Sequence, residues 1–182
     1  MANSGDADLV RRAQDGDANA FGELYDRHHR HIFRYVWGRV RDERVAEDLT
    51  GEVFTRMVVN LRGYRVTGVP FQVWLYRVAH NLVVDHYRKG DQGVLVPLHH
   101  VEGLSMEKSN PATIVERQLT VERVKDALTR LDPLQQEVVV LRFLTGLSLK
   151  EVALTLNKTV AAVKSLQHRG LVALRMALVE QG

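Results

Sequence analysis

Apolar residues recur along most of this chain at steps of three and four, and none of its four prolines falls inside such a run. That periodicity constrains the fold most, because it matches the face of a helix. No stretch shows period-two alternation bounded by hairpin turns, so no real sheet is expected. Phe21, Leu24, Tyr25, Ile32, Tyr35, Val36 and Val40 mark one helix, predicted over about Asn19 to Val40. Val45, Leu49, Val53, Met57 and Leu61, with Phe54 and Val58 alongside, mark another over about Glu43 to Leu61. A shorter helix, Asp6 to Gln14, precedes both and is closed by Asp15-Gly16-Asp17. After a loop from Gly63 to Pro70, a fourth helix runs from about Phe71 to Arg88. These four are expected to form one bundle.

Gly90 to Thr113 has no period and mixes Gly, Pro, Ser and Asn with short apolar pieces. A connection this long is uncommon inside a compact domain and reads as an interdomain linker. Its apolar residues Val94, Leu95, Val96 and Leu98 suggest that it lies on another surface. Helical pattern returns over Ile114 to Leu131, and Asp132-Pro133 starts the next helix with proline in its first turn. That helix stops near Gly146, and two more follow over Ser148 to Leu156 and about Thr159 to Val179. The expected fold is all-α: two small helical domains, a four-helix bundle over residues 1–90 and a helix-turn-helix domain over 114–182, joined by a flexible linker over 91–113.

Composition narrows the chemistry. A chain of 182 residues suits one domain or two small ones. With no cysteine, it has no disulfide framework, thiolate zinc site or cysteine nucleophile. No apolar run approaches the ~18–20 residues that span a bilayer, so no membrane insertion is expected. The polar N-terminus lacks the basic start and apolar core of a secretion signal, so the expected location is cytoplasmic. The net charge of +3 hides an asymmetry. Asp42, Glu43, Glu47, Asp48 and Glu52 face only Arg41 and Arg44 in one stretch; Arg62, Arg65, Arg77, Arg88 and Lys89 face only Asp85 in another. One surface suits basic protein and another suits phosphate, unless the charges simply scatter over solvated faces.

The segment SLKEVALTLNKTVAAVKSLQHR is the sharpest local signal. Ser148 with Glu151 three residues on forms a capping box. Ala153 is small where two crossing helices approach. Asn157 stands in the turn and tolerates the left-handed conformation. Thr159 caps the second helix. Val152, Leu156, Val160, Val163 and Leu166 are predicted to bury the interface between the two. Lys164, His168 and Arg175 then lie along one outward face, with Ser165, Gln167 and Arg169 beside it. This is the layout of a helix that enters the DNA major groove. The helix near Pro70 to Lys89 mixes aromatics with cations. Phe71, Leu75, Val78, Leu82 and Trp74 are core candidates, while Arg77, Asn81, Arg88 and Lys89 point away from them. It serves either as a plain bundle helix or as a surface for single-stranded nucleic acid, with Gly63 to Val69 as a base pocket.

Taken in order, DANAFGELY, AEDLTGEVFTRM, FQVWLYRVAHNLVVDHYRK and LTRLDPLQQEVVVLRFLTGLSLKEVALTLNKTVAAVKSLQHRGLVALR resemble an extracytoplasmic-function sigma factor, a small two-domain specificity subunit of bacterial RNA polymerase. The resemblance covers nearly the whole chain. It implies that Glu47, Asp48, Glu52 and Arg56 grip the coiled coil of core RNA polymerase. It implies that the loop carrying Tyr64, Arg65, Val66 and Thr67 captures a flipped base of the melted −10 element. Asn81, with Arg77 and Arg88 near it, would face the same strand. Thr159, Lys164, Ser165, His168 and Arg169 would read or clamp the −35 duplex. The linker matches a segment that family members thread through the polymerase. Two departures stand out. Many members carry Arg-Leu where this chain has Leu166-Gln167, and Asn157 replaces the usual turn glycine.

By the same resemblance the implied partners are core RNA polymerase, promoter DNA and an anti-sigma factor, and no added C-terminal domain is expected. No cofactor or metal is expected, and the chain is not expected to be an enzyme. His28, His29 and His31 cluster in sequence, but no HExxH, glycine-rich phosphate loop or Ser/His/Asp order accompanies them, so they read as a solvated helix face. A stand-alone helix-turn-helix regulator is the alternative. It leaves the Ala46 to Met57 helix and the linker without a role.

Overall fold

The computed structural model describes residues 4–90 and 111–182, and among these every regular element is a helix. An N-terminal set comprises α1 (Ser4–Gln14), α2 (Ala18–Arg39), α3 (Glu43–Asn60) and α4 (Phe71–Gly90). A C-terminal set comprises α5 (Pro111–Thr129), α6 (Pro133–Val139), α7 (Leu149–Leu156) and α8 (Val160–Glu180). The predicted helices are all present within a few residues of their expected ends. Most of the linker expectation, including Val94 to Leu98, lies outside the described residues.

The helix starts follow from side-chain caps. Asp17 accepts from Asn19 N, Asp42 from Arg44 N and Asp132 from Leu134 N, each capping orphan amide groups at a first turn. Arg12 clamps the Asp17 carboxylate at 2.7 Å, so the end of α1 and the start of α2 are tied together. The Ser148–Glu151 capping box forms as expected. Asn157 closes α7 at φ 52°, the left-handed conformation that residue type tolerates. One feature departs from the expected regular helix: after Val139 the chain widens into a π-helical turn over Val140–Leu144. Leu141 O then accepts from Leu147 N and from Thr145 Oγ1, and Leu147 O accepts from the Arg142 guanidinium.

The α1–α4 core is formed by Leu24, Ile32, Val36, Val53, Met57, Leu61, Leu75 and Val83, all buried. In the C-terminal set Leu128, Val138, Val152, Val163 and Leu166 are buried. Val160, expected in the helix-turn-helix interface, is instead 39% exposed at the first position of α8. Helices α6 and α8 cross closely at Gly170, where a Cβ would lie 2.8 Å from Val139 and 3.2 Å from Gln135 O. His28 also corrects the expected solvated face. It is buried, its Nε2 lies 2.8 Å from Asp6 Oδ2, and its ring meets Phe71 edge-on.

The two sets are packed together. Gly38 of α2 faces Val140 and Leu144, and α4 lies against α7. The Lys125 ammonium of α5 sits 4.2 Å above the Trp37 ring and donates to Arg41 O.

Candidate nucleic-acid interface

Helix α8 carries the most coherent of the candidate surfaces. Its first turn is capped by Thr159, whose hydroxyl accepts from Ala162 N at 3.1 Å. Val163 and Leu166 face inward, which turns Lys164, Ser165, His168 and Arg169 outward; all four are exposed and line one open depression. The sequence-predicted group is therefore brought together, with Thr159 at its N-terminal edge. Gln167 is not part of it. Its side-chain oxygen accepts from Arg142 Nε at 2.8 Å, which ties α8 to the π-helical turn. Leu166 is buried, so neither residue of the Leu166-Gln167 departure belongs to the exposed group.

The second surface is the loop between α3 and α4. Tyr64, Val66, Thr67, Gly68 and Val69 line a cleft whose other wall is α1, through Asp6, Ala7 and Val10. Tyr64 is half-buried and its ring packs 5.3 Å from both Phe71 and Trp74. Burial, then the nearby Asp6 charge, pushes the Tyr64 hydroxyl above its usual value. It remains a protonated donor at neutral pH. Arg65 is exposed but does not line the cleft.

The α1 contribution was not foreseen. Gln14 donates to Leu61 O at 3.0 Å and to Tyr64 O at 2.6 Å, pinning the start of the loop. Asp6, only 2% exposed, is held by Arg27 at 2.6 Å and by His28. Burial opposes its charge, but the His28 and Arg27 contacts together hold its carboxyl below the usual aspartate range. The available sequence signal was an aspartate on the apolar side of a short helix.

Along α4, Asn81 and Arg88 are exposed, and Arg88 pairs with Asp85 at 2.9 Å. Arg88 stands about 16 Å of helical rise beyond Arg77, so α4 offers a stripe rather than a cluster. Arg77 is exposed, yet Nε and Nη2 both donate to Leu154 O of α7, at 3.1 and 2.5 Å.

A third surface is acidic. Glu47, Asp48 and Glu52 are exposed on α3, with Arg56 half-buried beside them and its Nε 3.1 Å from Glu52 Oε1. Val53 is buried and Leu49 packs against the core, so the polar residues lie on the outward face of α3.

Among the described residues no group of His, Cys, Asp or Glu could hold a metal ion, and no helix is long and apolar enough to cross a membrane. The two regions carrying these surfaces match known families. Residues 24–92 match Sigma-70 region 2, and residues 127–176 match Sigma-70 region 4. Helix α1 lies outside both matches. The chain is 39% identical over 162 residues to the ECF RNA polymerase sigma factor BldN of Streptomyces coelicolor, covering 89% of this chain and 61% of BldN. It is 30% identical over 178 residues to the ECF RNA polymerase sigma factor SigW of Bacillus subtilis, covering 93% of this chain and 94% of SigW. Among solved structures it is similar to CnrH in complex with the cytosolic domain of CnrY, with a TM-score of 0.76, 25% identity and coverage of 98% of this chain and 99% of the other.

Proposed function

The chain belongs to the extracytoplasmic-function RNA polymerase sigma factors, and on that premise we propose how its surfaces divide the work. It binds core RNA polymerase and directs promoter-specific transcription initiation; it is not an enzyme. In this reading residues 1–90 form the polymerase- and −10-binding domain and residues 114–182 the −35-binding domain, with 91–113 between them.

The polymerase contact is the α3 face of Glu47, Asp48, Glu52 and Arg56. A charged, solvent-facing patch steers an oppositely charged partner and fixes its register. The −35 duplex meets Lys164, Ser165, His168 and Arg169, with Thr159 at the rim. Short polar and cationic groups at the start of a groove-entering helix reach base edges, and later cations reach phosphates. The cleft of Tyr64, Val66 and Thr67 receives an extruded base from the melted −10 strand. Extrusion costs a few kcal/mol. Aromatic stacking of about 1–3 kcal/mol per base and the cations Arg65, Arg77 and Arg88 offset that, with Asn81 as a polar contact on the same strand. The observation that carries this division is that three groups of different chemistry lie on different elements: an acidic face on α3, a cleft in the loop after α3 with the half-buried Tyr64, and a basic face on α8.

The site of action is the cytoplasm, where polymerase and promoter meet. An anti-sigma factor is the expected regulator, because the similar CnrH structure holds the cytosolic domain of CnrY. The stand-alone regulator reading is set aside, since it gives no role to the acidic face of α3.

Permanganate footprinting of promoter DNA with core polymerase and this chain tests the proposal. Reactive thymines around −10 are expected only when both are present. Opening that survives Tyr64→Ala and Arg88→Ala together would remove the loop and α4 from the −10 contact.

A further inference from the structure

The cleft beside the α3–α4 loop has one wall that the loop does not supply. Asp6 of α1 lines it, only 2% exposed, among the apolar side chains of Val10, Val66 and Phe71. An ionised carboxylate offers about four acceptor directions. Among the described residues two are filled: Oδ1 by Arg27 Nη1 at 2.6 Å and Oδ2 by His28 Nε2 at 2.8 Å. Those contacts fix the carboxylate in place and leave it able to accept more.

Two donors share the cleft. The Tyr64 hydroxyl stays protonated and feels the charge of Asp6. Thr67 Oγ1 accepts from Val69 N at 3.2 Å, which leaves its own proton to donate. The cleft therefore combines an acceptor on the α1 wall with donors on the loop. The complement of that pattern is an amine beside a ring acceptor. Cytosine and adenine carry an exocyclic amine where thymine and guanine carry a carbonyl oxygen. An extruded base is read by its edge. Asp6 is nearly buried, so it meets an exocyclic group that projects beyond the ring. An amine there makes a charge-assisted hydrogen bond. A carbonyl oxygen there faces a carboxylate and makes none, and a site built to hydrogen-bond one group rejects its analogue strongly.

We propose that Asp6 is a specificity-determining residue of the cleft, which admits an extruded base with an exocyclic amine, cytosine or adenine, and rejects thymine and guanine. The inference rests on the reading of this cleft as the −10 base site. It adds which class of base enters and which residue chooses it. The choosing group comes from α1, outside both matched family regions, and is anchored to α2 rather than to the loop.

The test offers full-length chain on core RNA polymerase a pool of single-stranded DNA randomised over about ten positions. The captured position is the one where Tyr64→Ala erases the base preference, and retained strands are expected to carry cytosine or adenine there. In one retained strand with cytosine at that position, uracil then replaces it. The two bases share one ring and present an amine or an oxygen at the same corner. The uracil strand is expected to bind roughly tenfold more weakly or worse. In Asp6→Asn the ratio is expected to fall to roughly threefold or less, because the charge that rejects the oxygen is gone. A purely structural role for Asp6 would weaken both strands alike and leave their ratio unchanged. Equal binding of the cytosine and uracil strands by the native chain overturns the inference without any variant, as does thymine or guanine at the captured position. An Asp6→Asn chain that is helical by circular dichroism, stays on core and keeps the full ratio overturns the role of Asp6. If no position responds to Tyr64→Ala, the reading of the cleft as the base site fails, and the inference fails with it.

Discussion

Lys164 and Arg169 make the most direct claim at the scale of single residues, because both are exposed and neither holds the fold together. Replacing either with alanine is expected to weaken promoter binding by the polymerase complex by about 1–3 kcal/mol, roughly 5- to 150-fold, and to lower the salt slope by about one if the lost contact is a phosphate. Retention on core should not change; loss of core retention would contradict the assignment. Asp48→Lys is expected to do the reverse. It should weaken core binding at least roughly tenfold with the helical content intact, since it places a cation where the proposal docks a basic partner. Outward positions such as these were legible because capping and helical period fix which way α8 and α3 turn. Asp6 was not. Its partner His28 lies 22 residues away, and the pairing depends on how α1 lies across α2. Because the folded carboxyl is held low, its contribution to stability is present at neutral pH. It is lost as the pH falls below the ordinary value of 3.8 and through the lowered folded value. Thermal melts taken from pH 7 to 3 should therefore drop more steeply for the native chain than for Asp6→Asn. Parallel curves would remove Asp6 from the acid response.

At the scale of elements, the caps explain why the boundaries could be read. Ser148 and Glu151 satisfy each other's amide groups at 3.1 and 2.8 Å, and Asn157 ends the helix they begin. Ser148→Ala is expected to cost about 1 kcal/mol. For a chain of this size that is a fall of roughly 2–4 °C in melting temperature, readable by calorimetry. The π-helical turn at Val140–Leu144 was illegible. Its apolar residues continue the period of α6, and only the contacts of Arg142 with Gln167 and Leu147 O mark the widened turn. Helix α1 was legible as a helix but not as part of the site. Its role comes from Gln14, whose amide bridges Leu61 O and Tyr64 O across nearly fifty residues of chain. Gln14→Ala is expected to weaken −10 single-strand binding in the polymerase complex while leaving −35 duplex binding unchanged. Equal loss at both elements would point to general unfolding instead.

For the whole molecule, order and spacing of segments made both helical regions and their family legible, whereas their mutual packing was not. A glutamate inside the run QQEVVVLRFL was the only hint, and its partners at Tyr35, Arg39 and His80 lie on two other helices. The packing brings the acidic face of α3, the cleft beside α1 and the basic face of α8 together; in the proposed division of work the last two meet separate stretches of DNA. The central claim is that promoter recognition by this chain depends on polymerase. Its most direct test is DNA binding measured by the purified chain with and without core RNA polymerase, over a range of salt. Tight, specific binding that appears only with core, and falls as salt rises, is the expected result. Equally tight binding of duplex DNA by the chain alone, with no polymerase retained, would contradict the account.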